Sequence, residues 1–205
     1  MTDYSQNGEQ KYILQALGID PVGLFSARRK LLDIGAWNAK TFSNSRALIE
    51  LGWSAVLFEP SPGPLKGLVQ EYGHNLNVDV VGCAVTVHGG LLELAVSDDA
   101  VSADADNTEH LSKWEGYGFY GTMTTNSLSL LAVLANWGPF DFVSIDTEGS
   151  SVDLFVALCQ SKHRPRCVVV EHDSRWEELQ AAAEPAGYKP MHPREENGIN
   201  MVFSL

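Results

Sequence analysis

Apolar positions along this chain change period as the sequence proceeds, and the changes mark its elements. "EQKYILQALGI" spaces Tyr12, Leu14 and Leu17 along one helical face, with Gly18 as a stop. Leu31 to Ile34 is a short buried strand that ends at Asp33-Ile34-Gly35. "TFSNSRALIELG" predicts an amphipathic helix closed by Gly52, and "SAVLFEP" the next strand. "SPGPLKGLVQEYG" starts a helix with Ser61 before Pro62 and ends it at Gly73. "LNVDVVGCAV" predicts a third strand, and "TVHGGLLELAV" a strand pair around His88-Gly89-Gly90.

From Ser97 to Gly118 the chain is polar and acidic without a clear period. An insertion of this kind is either a lid over a site or a surface loop. The alternation then resumes. "TNSLSLLAVLANWG" predicts a helix, "FDFVSID" a strand, "SSVDLFVALCQSK" a helix and "RCVVVEHD" a strand. "SRWEELQAAAEPAGY" predicts a helix and "INMVFSL" a final strand. Apolar strands alternating with helices predict an α/β fold with a largely parallel sheet covered on both faces. No repeat or linker divides residues 1–205, so one domain is expected, with an N-terminal helical segment over 1–29 and the insertion over 97–118.

Composition narrows the function classes. The 205 residues are 44% hydrophobic and 20% charged, an ordinary globular mixture. The formal net charge of -12 argues against nucleic acid or an anionic membrane as partner, since a phosphate backbone is met by cationic surface. Cys83, Cys159 and Cys167 are odd in number and lack zinc-ligand spacing, which predicts reduced thiols in a cytoplasmic protein. The opening residues show no signal-peptide pattern, and no apolar run approaches the ~20 residues of a membrane span.

Ligands of parallel sheets bind outside the carboxyl ends of the strands. Those ends carry Asp33 and Gly35, Glu59 and Pro60, Gly82 and Cys83, Asp146 and Glu148, and Glu171 to Asp173. In a dinucleotide loop the second and third glycines would fall at Trp37 and Lys40, so a close diphosphate approach is disfavoured. S-adenosylmethionine has no phosphates and asks for one tight turn. Glu59 stands 24 residues past Gly35, close to the ~20 at which a carboxylate accepts both ribose hydroxyls. Asp146 and Glu148 could orient an acceptor or take its proton, and His172 could act as base. With Asp146, His172 also offers donors suited to a divalent cation, although no metal is expected. Plainer readings stand beside these: Gly35 as a simple turn, Glu59 as a solvated charge, Glu148 as a helix cap, and His172 as a partly buried polar residue. His110, Trp114 and Tyr117 either close over an acceptor or pack the insertion locally.

The blocks "LLDIGAWNAKTFSNSRALIELGWSAVLFEPSP", "GFYGTMTTNSLSLL" and "FDFVSIDTEGSSVDLF…VVVEHD" together resemble the FkbM-type methyltransferases. The resemblance runs from about Leu31 to Asp173. It implies a Rossmann-like class I fold, with a mostly parallel seven-stranded sheet and helices on both faces. It also implies S-adenosyl-L-methionine as cofactor and O-methylation of a small-molecule or sugar hydroxyl. By that resemblance Asp33 and Gly35 lie by the methionine moiety, Glu59 by the ribose, and Cys83 and Ala84 by the adenine, with Ala36 and Pro60 also cofactor-binding. Asp146 faces the methyl group and the acceptor. The family pattern D-x-G-A-N-x-G has Trp37 here for the asparagine and Ala39 for the final glycine, and Ser151 replaces the acid of Glu-Gly-x-Glu. These departures motivate a second reading, a methyltransferase-like binding or scaffold protein without catalysis.

Overall fold

In the computed structural model, residues 1–19, 29–97, 102–113, 118–192 and 198–205 are described. Strand β1 (Lys30–Ile34) lies near the middle of a seven-stranded sheet because both its faces are apolar. Leu31 points into one core and Leu32 and Ile34 into another, as the period of two requires. Its neighbours β2 (Ser54–Phe58) and β8 (Phe142–Ile145) run parallel to it. The sheet continues through β3 (Val78–Val81) on one side and β9 (Cys167–Glu171) on the other. Beyond β9, β11 (Asn200–Ser204) is antiparallel, and β10 (Lys189–Pro190) closes the edge. The order β10-β11-β9-β8-β1-β2-β3 reverses direction beside β1, which makes the gap between β1 and β8 the switch point.

Helices cover both faces. Helices α1 (Glu9–Leu17), α2 (Arg46–Glu50) and α3 (Pro62–Tyr72) bury Ile13, Leu48 and Leu68 against Leu31, Phe142 and Val169. On the other face α5 (Leu130–Trp137), α6 (Ser151–Gln160) and α7 (Trp176–Ala186) bury Val133, Phe155 and Leu179 against Leu32, Val143 and Val170. Among the described residues no helix is long and apolar enough to cross a membrane.

A second sheet departs from the sequence expectations. It has the order β4-β7-β5-β6, from β4 (Ala84–Thr86), β5 (Gly90–Ser97), β6 (Ser102–Asp104) and β7 (Phe119–Ser129). The run "LNVDVVGCAV" is thus two strands, broken at Gly82-Cys83 and shared between the sheets. The strands flanking His88-Gly89-Gly90 do not pair with each other, because β7 inserts between them and bonds to both. Residues Thr125 to Ser129 extend β7 rather than begin a helix. Pairing with β5 satisfies their backbone, and the Ser129 side chain then caps α5 at the Ala132 N–H. Helix α2 is also shorter than expected. The Asn38 side chain accepts the Lys40 and Thr41 N–H groups, and Ser43 N–H donates to the Tyr4 carbonyl, so the chain turns there before it coils.

The described residues of the expected lid form regular structure in two places. Besides β6 it holds α4 (Thr108–Lys113), while Trp114 and Tyr117 lie outside the described residues.

Candidate active site

A cavity of about 430 Å³ opens between the carboxyl ends of β1, β2 and β8 and the inner face of the second sheet. Its base is the turn after β1. Gly35 has φ +82°, and a Cβ there would collide with the Asp146 carbonyl oxygen, so only glycine lets the two strand ends touch. The N–H groups of Gly35 and Ala36 both donate to the Phe58 carbonyl at 3.0 Å, which fixes the turn against β2.

Glu59 is buried rather than solvated. Trp37 N–H donates to its Oε2 at 2.9 Å and Ser61 N–H to its Oε1 at 2.7 Å. Burial pushes its carboxyl upward, against the pull of these donors. Each oxygen takes one backbone bond and keeps acceptor capacity for a diol in the cavity. Pro60, Cys83 and Ala84 continue the wall, with Leu92 and Leu94 of β5 also lining the cavity. Gly35, Glu59, Pro60, Cys83, Ala84 and Asp146 therefore line one cavity.

Three expected residues stand off that wall. Asp33 lies beneath the turn, where Ser45 Oγ donates to its Oδ2 at 2.6 Å, and burial raises it to about 6. Ala36 is buried, and its link to the site is its backbone bond to β2. His172 takes the Ser174 N–H on Nδ1 at 3.0 Å and meets the Gly198 carbonyl through Nε2 at 2.8 Å. Both its nitrogens are spent on backbone.

Beside the cavity, β8 and β9 deliver four carboxylates: Asp146, Glu148, Glu171 and Asp173. Burial, and then the charge of Glu148, pushes Asp146 well above the usual carboxylate range. Glu171 is raised likewise, by burial and then by Asp146. The α4 residue His110 enters this group from the insertion. Its Nε2 lies 3.0 Å from Glu148 Oε2 and its Nδ1 3.3 Å from Asp173 Oδ1. Burial opposes a charged ring, but its hydrogen bonds to Asp173 and Glu148 outweigh this and lift His110 to about 9. The sequence pointed to His172 for an imidazole here; the nearer imidazole is His110, from a stretch without period. Glu148 does not cap α6, because its side chain is turned to His110.

Ser151, where the family pattern has an acid, is fully buried. It accepts the Thr147 N–H at 2.9 Å and lies 3.3 Å from Glu171 Oε2 as donor. A fifth carboxylate there would add like charge to a buried acidic group. Ligand atoms of His110, Glu148 and Glu171 lie within 4.8 Å of one another and could hold a cation. In this arrangement the imidazole pairs with Glu148 and Asp173 instead.

The family model described as the methyltransferase FkbM domain matches residues 33–195. No curated protein matches the sequence. Among solved structures, methyltransferase FkbM from Methylobacillus flagellatus KT superposes with a TM-score of 0.54 at 14% identity. That match covers 90% of this chain and 45% of the other, so the chain spans under half of that relative. Precorrin-6y C5,15-methyltransferase from Geobacter metallireducens GS-15 gives 0.50 at 12% identity, over 100% and 92%. The N-terminal domain of human METTL16 in complex with SAH gives 0.50 at 13%, over 95% and 67%. At these identities the likeness is one of fold.

Proposed function

The chain belongs to the FkbM methyltransferase family, and from that premise we propose that it transfers the methyl group of S-adenosylmethionine to a hydroxyl of a small molecule. The observation that carries this reading is Glu59, buried at the end of β2 with one backbone donor on each oxygen and its face to the cavity. The cradle at Gly35 fits the same cofactor, because a Cβ would close it. When bound, S-adenosylmethionine supplies an electrophilic methyl group.

The chain's own residues do the rest. Gly35 would admit the methionine moiety and Glu59 would hold the ribose, while the second sheet would keep water from the adenine side. Asp146, held towards its neutral form by burial and by Glu148, can orient a hydroxyl in the cavity. Glu148 lines the same cavity and accepts the hydroxyl proton, with His110 fixing its other side. Alignment of acceptor and methyl supplies the larger part of the acceleration. The net charge of -12 supports a small acceptor over nucleic acid, and three free cysteines support a reducing, cytoplasmic setting.

Glu59→Ala is expected to weaken S-adenosylhomocysteine binding at least about tenfold in calorimetry, since a carboxylate holding two hydroxyls is lost. Asp33→Ala is expected to do so less directly, by loosening the turn at Ser45. Unchanged affinity in Glu59→Ala would sink the cofactor assignment. The Trp37 side chain in the cavity wall favours one other reading, a cofactor-binding protein without catalysis. Tight S-adenosylhomocysteine binding with no acceptor methylated would decide for it.

A further inference from the structure

The cofactor-facing wall runs from Gly35 past Glu59 to Cys83 and Ala84. The wall left over includes Gln6, Trp37, Phe42 and Ile199, with Thr147 and Glu148. Two of these form a platform. The Trp37 and Phe42 rings are stacked, 6.0 Å between centroids and 12° between planes. Phe42 is 56% exposed although it lines the cavity, so the platform stands at the mouth and not in the core. Both residues hold a positive φ, +36° and +56°, in a region that L side chains avoid. The Trp37 N–H on Glu59 and the Ser43 N–H on the Tyr4 carbonyl keep the loop there. A loop strained in this way, which brings a stacked aromatic pair to the wall of a cavity, is suited to contact with a ligand.

Charge and base strength say which ligand. Glu59, Asp104, Asp146 and Glu148 line the cavity, and among the described residues no lysine or arginine does. An acceptor with a carboxylate or phosphate would face these acids with no described cation to pair it. Among the described residues no imidazole or amine lines the cavity either, so the base they offer an acceptor is a carboxylate. A carboxylate is poorly matched to an aliphatic hydroxyl, whose acidity is near that of water at ~15.7. It is better matched to a phenol at ~10. Thr147, Glu148 and Ser150 could hydrogen-bond a sugar as well, so the preference for an aromatic ring rests on Trp37, Phe42 and Ile199 at the mouth.

We propose that the acceptor is a phenol without negative charge, its ring against Trp37 and Phe42 and its hydroxyl towards Glu148. This rests on the methyl-transfer reading of the same cavity. The probe is p-cresol, titrated by calorimetry with and without S-adenosylhomocysteine, beside 4-hydroxybenzoate and methyl glucoside. p-Cresol is expected to bind, and 4-hydroxybenzoate and the glucoside at least about tenfold more weakly. Trp37→Ala and Phe42→Ala are expected to weaken p-cresol by about tenfold each, and Trp37→Phe by much less, because a ring remains. Circular dichroism checks that the variants stay folded. Unchanged p-cresol affinity in folded Trp37→Ala, or tighter binding of the glucoside or the benzoate, overturns the proposal. So does a Trp37→Ala variant that loses S-adenosylhomocysteine while keeping p-cresol, since the ring would then serve the cofactor. If S-adenosylhomocysteine fails to bind the unaltered protein, the methyl-transfer reading falls, and the p-cresol titrations without it still decide the platform.

Discussion

His110 shows how far one residue's setting departs from its sequence context. In "NTEHLSKW" it is a histidine in a stretch without period, read as either closing over an acceptor or packing the insertion locally. Folded, it is buried between Glu148 and Asp173 and raised from 6.5 to about 9. A group raised on folding adds stability that is fully present below its unfolded value and is lost as pH climbs through its folded value. Wild type should therefore exceed His110→Gln in urea-unfolding free energy most at about pH 6. The gap should shrink as pH rises from 7 to 10. A gap that stays constant over this range would mean that His110 stabilises by packing and not by charge. The same balance explains Ser151: with four acids already around one imidazole, a neutral hydroxyl that bridges Thr147 and Glu171 fits where a fifth acid would not.

At the scale of elements, what was legible followed from periodicity, and what was missed followed from partners distant in sequence. The strands of the large sheet are buried on both faces, so their apolar runs stand out, and their ends carry Gly35, Glu59 and Asp146 into one cavity. The second sheet is half solvated and threonine-rich. Its β7 was hidden because "TTNSLSLLAVLANW" reads as helix until β5 supplies a partner for its first half. The insertion was hidden for a related reason, since it is held by contacts with the β8–α6 turn and with the start of α3. Asn107 Nδ2 donates to the Gly149 carbonyl at 2.7 Å, Asp104 N–H to that of Glu148 at 3.3 Å, and Ser61 and Ser102 hydroxyls meet at 2.5 Å. Asn107→Ala removes one of these ties and leaves a half-buried carbonyl unpaired. Hydrogen exchange should then quicken at Thr108 to Leu111, while β1 and β8 keep their protection. Equal loss of protection in β1 would show that the insertion does not open by itself.

For the whole molecule, the cavity is where the two sheets meet, and this makes ligand binding a test of the architecture. β1, β2 and β8 supply Gly35, Glu59 and Asp146, while β5 and β6 supply Leu92, Leu94 and Asp104. A ligand that spans the cavity touches both sheets and binds only where both are folded. Its linkage contribution is about 2.7 kcal/mol at 100 times its dissociation constant. In a chain of this size that corresponds to a rise in Tm of about 5–10 °C. S-adenosylhomocysteine should produce such a rise, and NAD should not, because the Trp37 side chain stands where a second glycine would admit a diphosphate. Hydrogen exchange with S-adenosylhomocysteine should also slow at the cavity ends of β2 and β5 together. Protection confined to β2 would mean that the second sheet walls the cavity without gripping the cofactor, and the adenine would have to lie elsewhere than beside Cys83 and Ala84.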